Sequence, residues 1–319
     1  MSSIPITGEK DPGIRKRIRN RKIRYLKSNW DLYLFLVPGA AFLFLFNYIP
    51  MYGVTLAFKE FNPMLGIMGS PWIGTMQFER LFTSYQFWPI LRNTLVLNIY
   101  SLLWAFPFPI ILALMMNQMR QKRYKKFIQT VIYAPNFISV VVLVGMMNVF
   151  FSPSVGLINK VVVMLGGDVK VFMALPDYFR SLYIGSGIWQ TSGFGTIIYL
   201  AALSGVSPEL HEAAIMDGAG KLSRIRHIDI PSIAPTIIII LLMSLGAALA
   251  VGFEKVFLMQ GPLNLPVSEV ISTYTYKVGL LDGEFGFSTA VGFFNSVVCF
   301  ILLFIFNGIS KRVSEVSLW

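Results

Sequence analysis

The chain has 319 residues, 55% of them hydrophobic and only 13% charged, with a net charge of +11 and a mean hydropathy of +0.63. A soluble domain carries about 25% charged residues, so a soluble enzyme is excluded, as is a disordered chain, which needs far less apolar content. One cysteine, Cys299, and two histidines, His211 and His227, exclude a disulfide framework, a thiolate cluster and a histidine-rich metal site.

In chain order, residues 1–29 form a basic cytoplasmic arm that includes Arg15, Lys16, Arg17 and Arg24. Residues 30–319 form the body. A helix crossing the hydrocarbon needs about 20 mostly apolar residues, and six windows qualify: 32–56, 93–117, 127–151, 183–203, 233–253 and 287–307. No small-residue cleavage site follows the first, which reads as an uncleaved helix. The fourth is diluted by Gly185, Gly187, Gln190, Ser192, Gly193 and Gly195. Such a span packs closely on other helices or lines a cavity.

Between the windows lie two sets of segments. The arm, the loops 118–126 and 204–232 and the C-terminal tail hold 19 of the 27 Lys and Arg, and the segments 57–92, 152–182 and 254–286 hold 8. The richer side is cytoplasmic, so both termini lie inside, as an even number of spans requires. This distribution accounts for the positive charge through anionic lipid headgroups, and a nucleic-acid partner is not needed. The outer segments carry Trp72, Tyr85, Trp88, Tyr178, Tyr274 and Tyr276, which suit an aromatic belt, a docking surface for an external partner, or both. Glu254 and Lys255, at the outer end of the fifth window, are assigned to that partner.

Several chemistries are missing. Asp217-Gly218-Ala219-Gly220-Lys221 looks like a phosphate-binding loop, but its glycine spacing is wrong and Leu222 stands where a hydroxyl is needed. No nucleophile elbow accompanies the histidines. The windows hold almost no ionisable groups, only neutral ones such as Asn98, Asn148, Gln190 and Asn295, which disfavours an ion-coupled carrier. A passive pore or a transport subunit driven by a partner remains.

The loop 204–232 is the most informative segment. Ser207 is a good N-cap and Pro208 suits the first helical position. Glu209 and Glu212 favour the helix N-terminus. Leu210, Ala213, Ala214 and Asp217 share a face, and Gly218 or Gly220 ends the helix in the left-handed region. A second short stretch follows, with Pro231 expected to stop it. From helix physics alone, a plain inter-span cap is as good a reading as a docking helix.

The residue pattern adds a resemblance. Glu212-Ala213-Ala214, Gly218, Ile228, Ile230 and Pro231 resemble the E-A-A-x3-G-x9-I-x-L-P motif of permease subunits of ABC importers, with isoleucine where leucine is common. Gly261-Pro262, Tyr274-Thr275-Tyr276 and Gly286 to Ala290 resemble carbohydrate-uptake permeases. Tyr48-Ile49-Pro50-Met51-Tyr52-Gly53, Leu91-Arg92-Asn93-Thr94-Leu95 and Ser152 to Asn159 are similar to the polysaccharide and oligosaccharide permeases of Gram-positive bacteria.

The resemblance implies an all-α, six-helix type I importer permease in the bacterial plasma membrane. ATPase coupling would involve Glu212, Ala213, Ala214, Asp217, Gly218, Ile228 and Pro231. It also implies a second permease as heterodimer partner, an ABC ATPase pair carrying Mg-ATP, an extracellular solute-binding lipoprotein, and no cofactor on this chain. The cargo it implies is an oligosaccharide, although permeases for amino acids, phosphate and polyamines share the coupling motif. Neutral hydrogen-bonding groups and aromatic faces suit a sugar, which nominates Trp189, Gln190, Tyr199 and Asn295 for the substrate pathway, with helix packing as the alternative for each. The reading from another class is a passive channel or ion-coupled carrier.

Overall fold

The computed structural model describes residues 28–119, 121–246, 249 and 251–314; the basic arm lies outside the described residues up to residue 27. The described residues are all-helical, and their only β pairing is an antiparallel bridge between Lys59 and Trp72. The chain divides into two compact units, Met1–Thr55 and Leu56–Trp319.

The first unit holds most of helix α1, Trp30–Phe58, and every residue from Trp30 to Tyr52 is exposed. A helix that is apolar all round has no face suited to water, so α1 belongs in lipid or against another apolar chain.

The second unit contains α2 (Met76–Thr83), α3 (Phe87–Asn117), α4 (Lys122–Phe137), α5 (Val140–Phe150), α6 (Leu157–Met164) and α7 (Pro176–Ser204). It continues with α8 (Pro208–Met216), α9 (Lys221–Gly246), α10 (Phe253–Met259), α11 (Ile271–Tyr276) and α12 (Phe285–Ser314). Among the described residues α1, α3, α9 and α12 are each long and apolar enough to cross a membrane, and α4 with α5 makes a fifth if the bent pair is one span. The fourth window is α7, whose 29 residues reach about 43 Å at 1.5 Å per residue. Its glycines and polar residues keep it out of that apolar class.

The third window is not one straight helix. α4 and α5 meet at 96°, because Pro135 lacks an N–H and breaks the ladder. Ser139 restarts it as the N-cap of α5, its hydroxyl accepting the Val142 N–H at 3.3 Å. The hydropathy of a window averages across such a break and does not register it.

α7 organises the bundle. It packs along the second half of α3, where Gly195 lies beside the Pro109 ring, and a Cβ at Gly193 would land on the Ile132 carbonyl of α4. Gly193 and Gly195 are therefore contact surfaces that bring helices together, as small residues do between membrane helices. Toward one end of α7, Phe179 packs with Leu97, Leu143, Met147, Val256 and Met259; toward the other, Tyr199 and Leu203 pack with Ala113, Leu114 and Ile233.

The segments 152–182 and 254–286 are folded around three buried asparagines. Asn159 donates to the carbonyls of Phe151, Ser152 and Lys170 at 3.1, 3.1 and 2.9 Å and accepts the Lys170 N–H at 2.9 Å. Asn264 donates to Met173 and Met259 at 3.0 Å each and accepts from Gly261 N and Ser268 Oγ at 2.9 Å. Asn93 of α3 donates to the carbonyls of Pro266 and Glu269 at 2.8 and 3.1 Å, and Thr94 accepts the Ile271 N–H at 3.0 Å. Each side chain pairs backbone groups that irregular chain leaves open.

Gly193→Leu is expected to lower the melting temperature of the detergent-purified protein by several degrees or block its accumulation, as overpacking against backbone does. Gly185→Ala, where a Cβ meets nothing within 4 Å, is expected to melt like wild type. Equal melting of both variants and wild type would contradict the packing.

Candidate functional site in the 204–232 loop

The loop folds as its residues dictate. Ser207 caps α8, its hydroxyl accepting the Glu209 N–H at 3.3 Å, and Pro208 occupies the first turn. The far end is closed by Gly218, with φ of 78°. Gly218 N–H reaches Ile215 O at 3.0 Å and Ala219 N–H reaches Ala214 O at 2.8 Å. These two bonds make a Schellman cap, which needs the left-handed residue that glycine supplies. Of the two glycines offered by the sequence, Gly218 is the one used.

Glu212, Ala213, Asp217 and Gly218 are exposed and Ala214 is half-buried. Around them Leu210, Ile215, Met216 and Leu222 are 53, 52, 87 and 79% exposed. α8 thus presents an apolar surface beside two small residues and a carboxylate. Sequence reading had placed Leu210 on the face but had not singled out Ile215, Met216 or Leu222.

One expectation fails here. Pro231 does not stop a short stretch: α9 runs through it from Lys221 to Gly246. The reason lies just before it, where Ile225–Asp229 form a π-helical turn. The hydrogen-bond ladder is already interrupted there, so a proline without an N–H is tolerated. Ile228 is half-buried and Pro231 exposed.

The π turn aims Asp229 inward, where its relative exposure is 0%. His211 Nε2 of α8 lies 3.3 Å from its Oδ1. Gln118 Nε2 donates to Oδ2 at 2.9 Å, and Asn117 Nδ2 stands 3.5 Å from Oδ1. One carboxylate therefore ties α8 to the foot of α3 and the start of α9. A cavity of about 480 Å³ opens beside it, lined by Gln118, His211, Glu212, Lys221 and Arg224 among others. Sequence reading missed this cluster. Asp229 occupies the free position of I-x-L-P, and no spacing rule links it to His211 or Gln118.

The nominated pathway residues are distributed differently. Trp189 is 49% exposed and lines an apolar cavity of about 320 Å³ between α5 and α7. Gln190 is buried and donates to the Ile138 carbonyl at 2.8 Å, so it pairs the break between α4 and α5. Tyr199 is packed into the apolar cluster around Ala113 and Ile233. Asn295 of α12 is half-buried, and its Oδ1 is buried with no hydrogen-bond partner among the described residues.

Residues 105–315 match the family described as binding-protein-dependent transport system inner membrane component. The chain belongs to this family. It is therefore a multi-pass membrane permease component. It is 43% identical over 96% of its length to the polygalacturonan/rhamnogalacturonan transport system permease protein YteP of Bacillus subtilis, covering 95% of that protein. Among solved structures it matches a chain of a bacterial ABC transporter involved in the import of the acidic polysaccharide alginate, with a TM-score of 0.86 and 40% identity. That match covers 92% of this chain and 99% of the other. A bacterial alginate ABC transporter in complex with an alginate pentasaccharide-bound periplasmic protein matches with a TM-score of 0.85, 39% identity and the same coverage.

Replacing Asp229 by Leu leaves His211 and Gln118 without their acceptor, and a donor left unsatisfied in this way costs about 1–3 kcal/mol. Hydrogen exchange of the α8 amides is expected to rise at least tenfold in Asp229→Leu, with exchange in Phe285–Ser314 unchanged. Unaltered exchange in α8 would contradict the tie.

Proposed function

We propose that the chain is the transmembrane permease subunit of an ATP-driven ABC importer for acidic oligosaccharides, forming half of the pathway. Six helices cross the bacterial plasma membrane, α7 and the bent α4–α5 pair among them, with both ends and the 204–232 loop in the cytoplasm. A second permease completes the pathway. A pair of ATPase subunits holding Mg-ATP binds inside, and an extracellular solute-binding lipoprotein delivers the cargo. The catalysis of hydrolysis belongs to the partner.

The observation that carries this reading is α8. It is capped at both ends, exposes Leu210, Ile215 and Met216 around Glu212-Ala213-Ala214, and is tied to α3 and α9 through Asp229. A short rigid helix with an apolar surface suits a cleft in another protein. ATP binding would draw the ATPase pair together and pull on α8. The Asp229 cluster would pass that displacement to α3 and α9 as a rigid-body shift, and hydrolysis would reset it. Glu212, Ala213, Ala214 and Gly218 form the contact, while Asp217, Ile228 and Pro231 shape the turn and the start of α9.

The cargo class rests on the relatives. One handles polygalacturonan and rhamnogalacturonan and another the acidic polysaccharide alginate, which favours a glycan bearing carboxylates. Trp189 and Asn295 are assigned to the pathway, and Gln190 and Tyr199 hold the helices that frame it.

Uptake of labelled tetragalacturonate into proteoliposomes containing the full importer is the test. Glu212→Ala and Gly218→Val are expected to lower ATP-driven uptake at least tenfold with the protein still inserted, the second because a β-branched residue is strained at φ of 78°. Uptake at the wild-type rate in both variants, or uptake that proceeds without the ATPase, would overturn the assignment.

A further inference from the structure

Among the described residues two charged side chains are buried, Asp229 and Lys255. Asp229 has its partners in His211 of α8 and Gln118 at the foot of α3. Lys255 has none of opposite charge among the described residues: it is 8% exposed and takes part in no ion pair with them, and its neighbour Glu254 is exposed. The sequence had assigned it to the surface facing the external partner; the structure buries it within the helices.

Its surroundings are specific. Nζ donates to the Tyr183 carbonyl of α7 at 2.7 Å and sits 4.8 Å from the centroid of the Tyr183 ring. An ammonium has three donors, and among the described residues one of them has a hydrogen-bond acceptor, the Tyr183 carbonyl. Burying a cation with no counter-charge is costly. A neutral amide or hydroxyl could hold α10 to α7 without that cost, as Gln190 does between α7 and the α4–α5 break.

Lys255 also lies where the backbone is broken. α9 ends at Gly246 and α10 starts at Phe253. Discontinuous helices at membrane depth are tolerated where they are buried in protein or line a cavity, and in transporters they build binding sites. On α7 the side chain abuts Gly187, where a Cβ would stand 3.3 Å from Nζ. Gly187, Thr191, Phe194 and Ile198 follow helical spacing and share one face, and Thr191, Phe194 and Ile198 are exposed. The missing side chain at Gly187 leaves the ammonium room to sit beside that face.

We infer that Lys255 is a specificity-determining residue of the translocation pathway, whose ammonium binds the carboxylate of an acidic sugar unit passing along the Gly187–Ile198 face of α7. The inference rests on the acidic-glycan reading above and adds the residue that recognises the acid. Tyr183 holds the cation, and Gly187 gives it room beside that face.

The test compares wild type, Lys255→Arg and Lys255→Gln in the complete importer. Two probes of equal length are used, tetragalacturonate and its uncharged methyl ester. Uptake is read in proteoliposomes. Direct contact is read by saturation-transfer NMR on the detergent-purified importer without its binding protein, so that delivery does not limit the comparison. Lys255→Gln is expected to lower uptake and the NMR signal of the acid at least tenfold. Lys255→Arg is expected to stay within about threefold of wild type. The ester is expected to give the same NMR signal in all three proteins. Equal loss of both probes in Lys255→Gln, which a purely structural tie would produce, overturns the inference, and so does an undiminished signal and uptake of the acid. A wild-type importer that takes up and contacts neither probe overturns the acidic-glycan reading and this inference with it.

Discussion

Where helices break inside this bundle, backbone carbonyls and amides are left in surroundings too apolar to hydrate them. Unpaired, each such group costs free energy comparable to a lost hydrogen bond, and the fold is arranged around finding them partners. Gln190 serves the break between α4 and α5. Asn159, Asn264 and Asn93 serve the irregular segments between spans. The π turn at Ile225–Asp229 makes room for Pro231 within α9. These side chains resemble candidate ligands for a sugar when read as isolated polar residues in apolar stretches. In the folded chain their hydrogen-bonding capacity is largely spent on backbone.

The same economy separates the two buried charges. Asp229 is surrounded by donors from α8 and from the foot of α3, an arrangement that makes three elements move together. A motion imposed on α8 then has a stiff route into the bundle, which flexible connections would not provide. Among the described residues Lys255 is held by a carbonyl and a ring, with no counter-charge of its own, which is why we assign its cation to an anion from elsewhere. In our reading one charge ties the helices together and the other recognises the cargo.

Much of the fold was legible in the sequence because its signals are local. Apolar length located four long apolar helices, α1, α3, α9 and α12, and Ser207, Pro208 and Gly218 marked α8 because capping depends on neighbours in the chain. The glycines of α7, read as close packing or cavity lining, divide between the two: Gly193 and Gly195 pack against other helices and Gly185 lines a cavity. Signals that depend on distant residues were not legible. The 96° bend is hidden by averaging. The passage of α9 through Pro231 depends on a π turn that no propensity marks. His211, Gln118 and Asp229 come from three elements, and nothing in their spacing connects them. The partner of Gln190 lies 52 residues away, so its structural role could not be separated from a ligand role beforehand.

The central claim is that α8 is where an ATPase grips this permease, and site-directed cross-linking tests it most directly. Cys299 is the single cysteine and lies half-buried in α12, so Cys299→Ser provides a thiol-free background. Met216→Cys, at a position 87% exposed on α8, is compared with Leu263→Cys, 65% exposed in the 254–286 segment. The account predicts that a short bifunctional reagent joins the ATPase to the permease through Met216→Cys and that the yield changes with ATP, while Leu263→Cys gives no such product. Cross-linking to the ATPase through Leu263→Cys and not through Met216→Cys would contradict it.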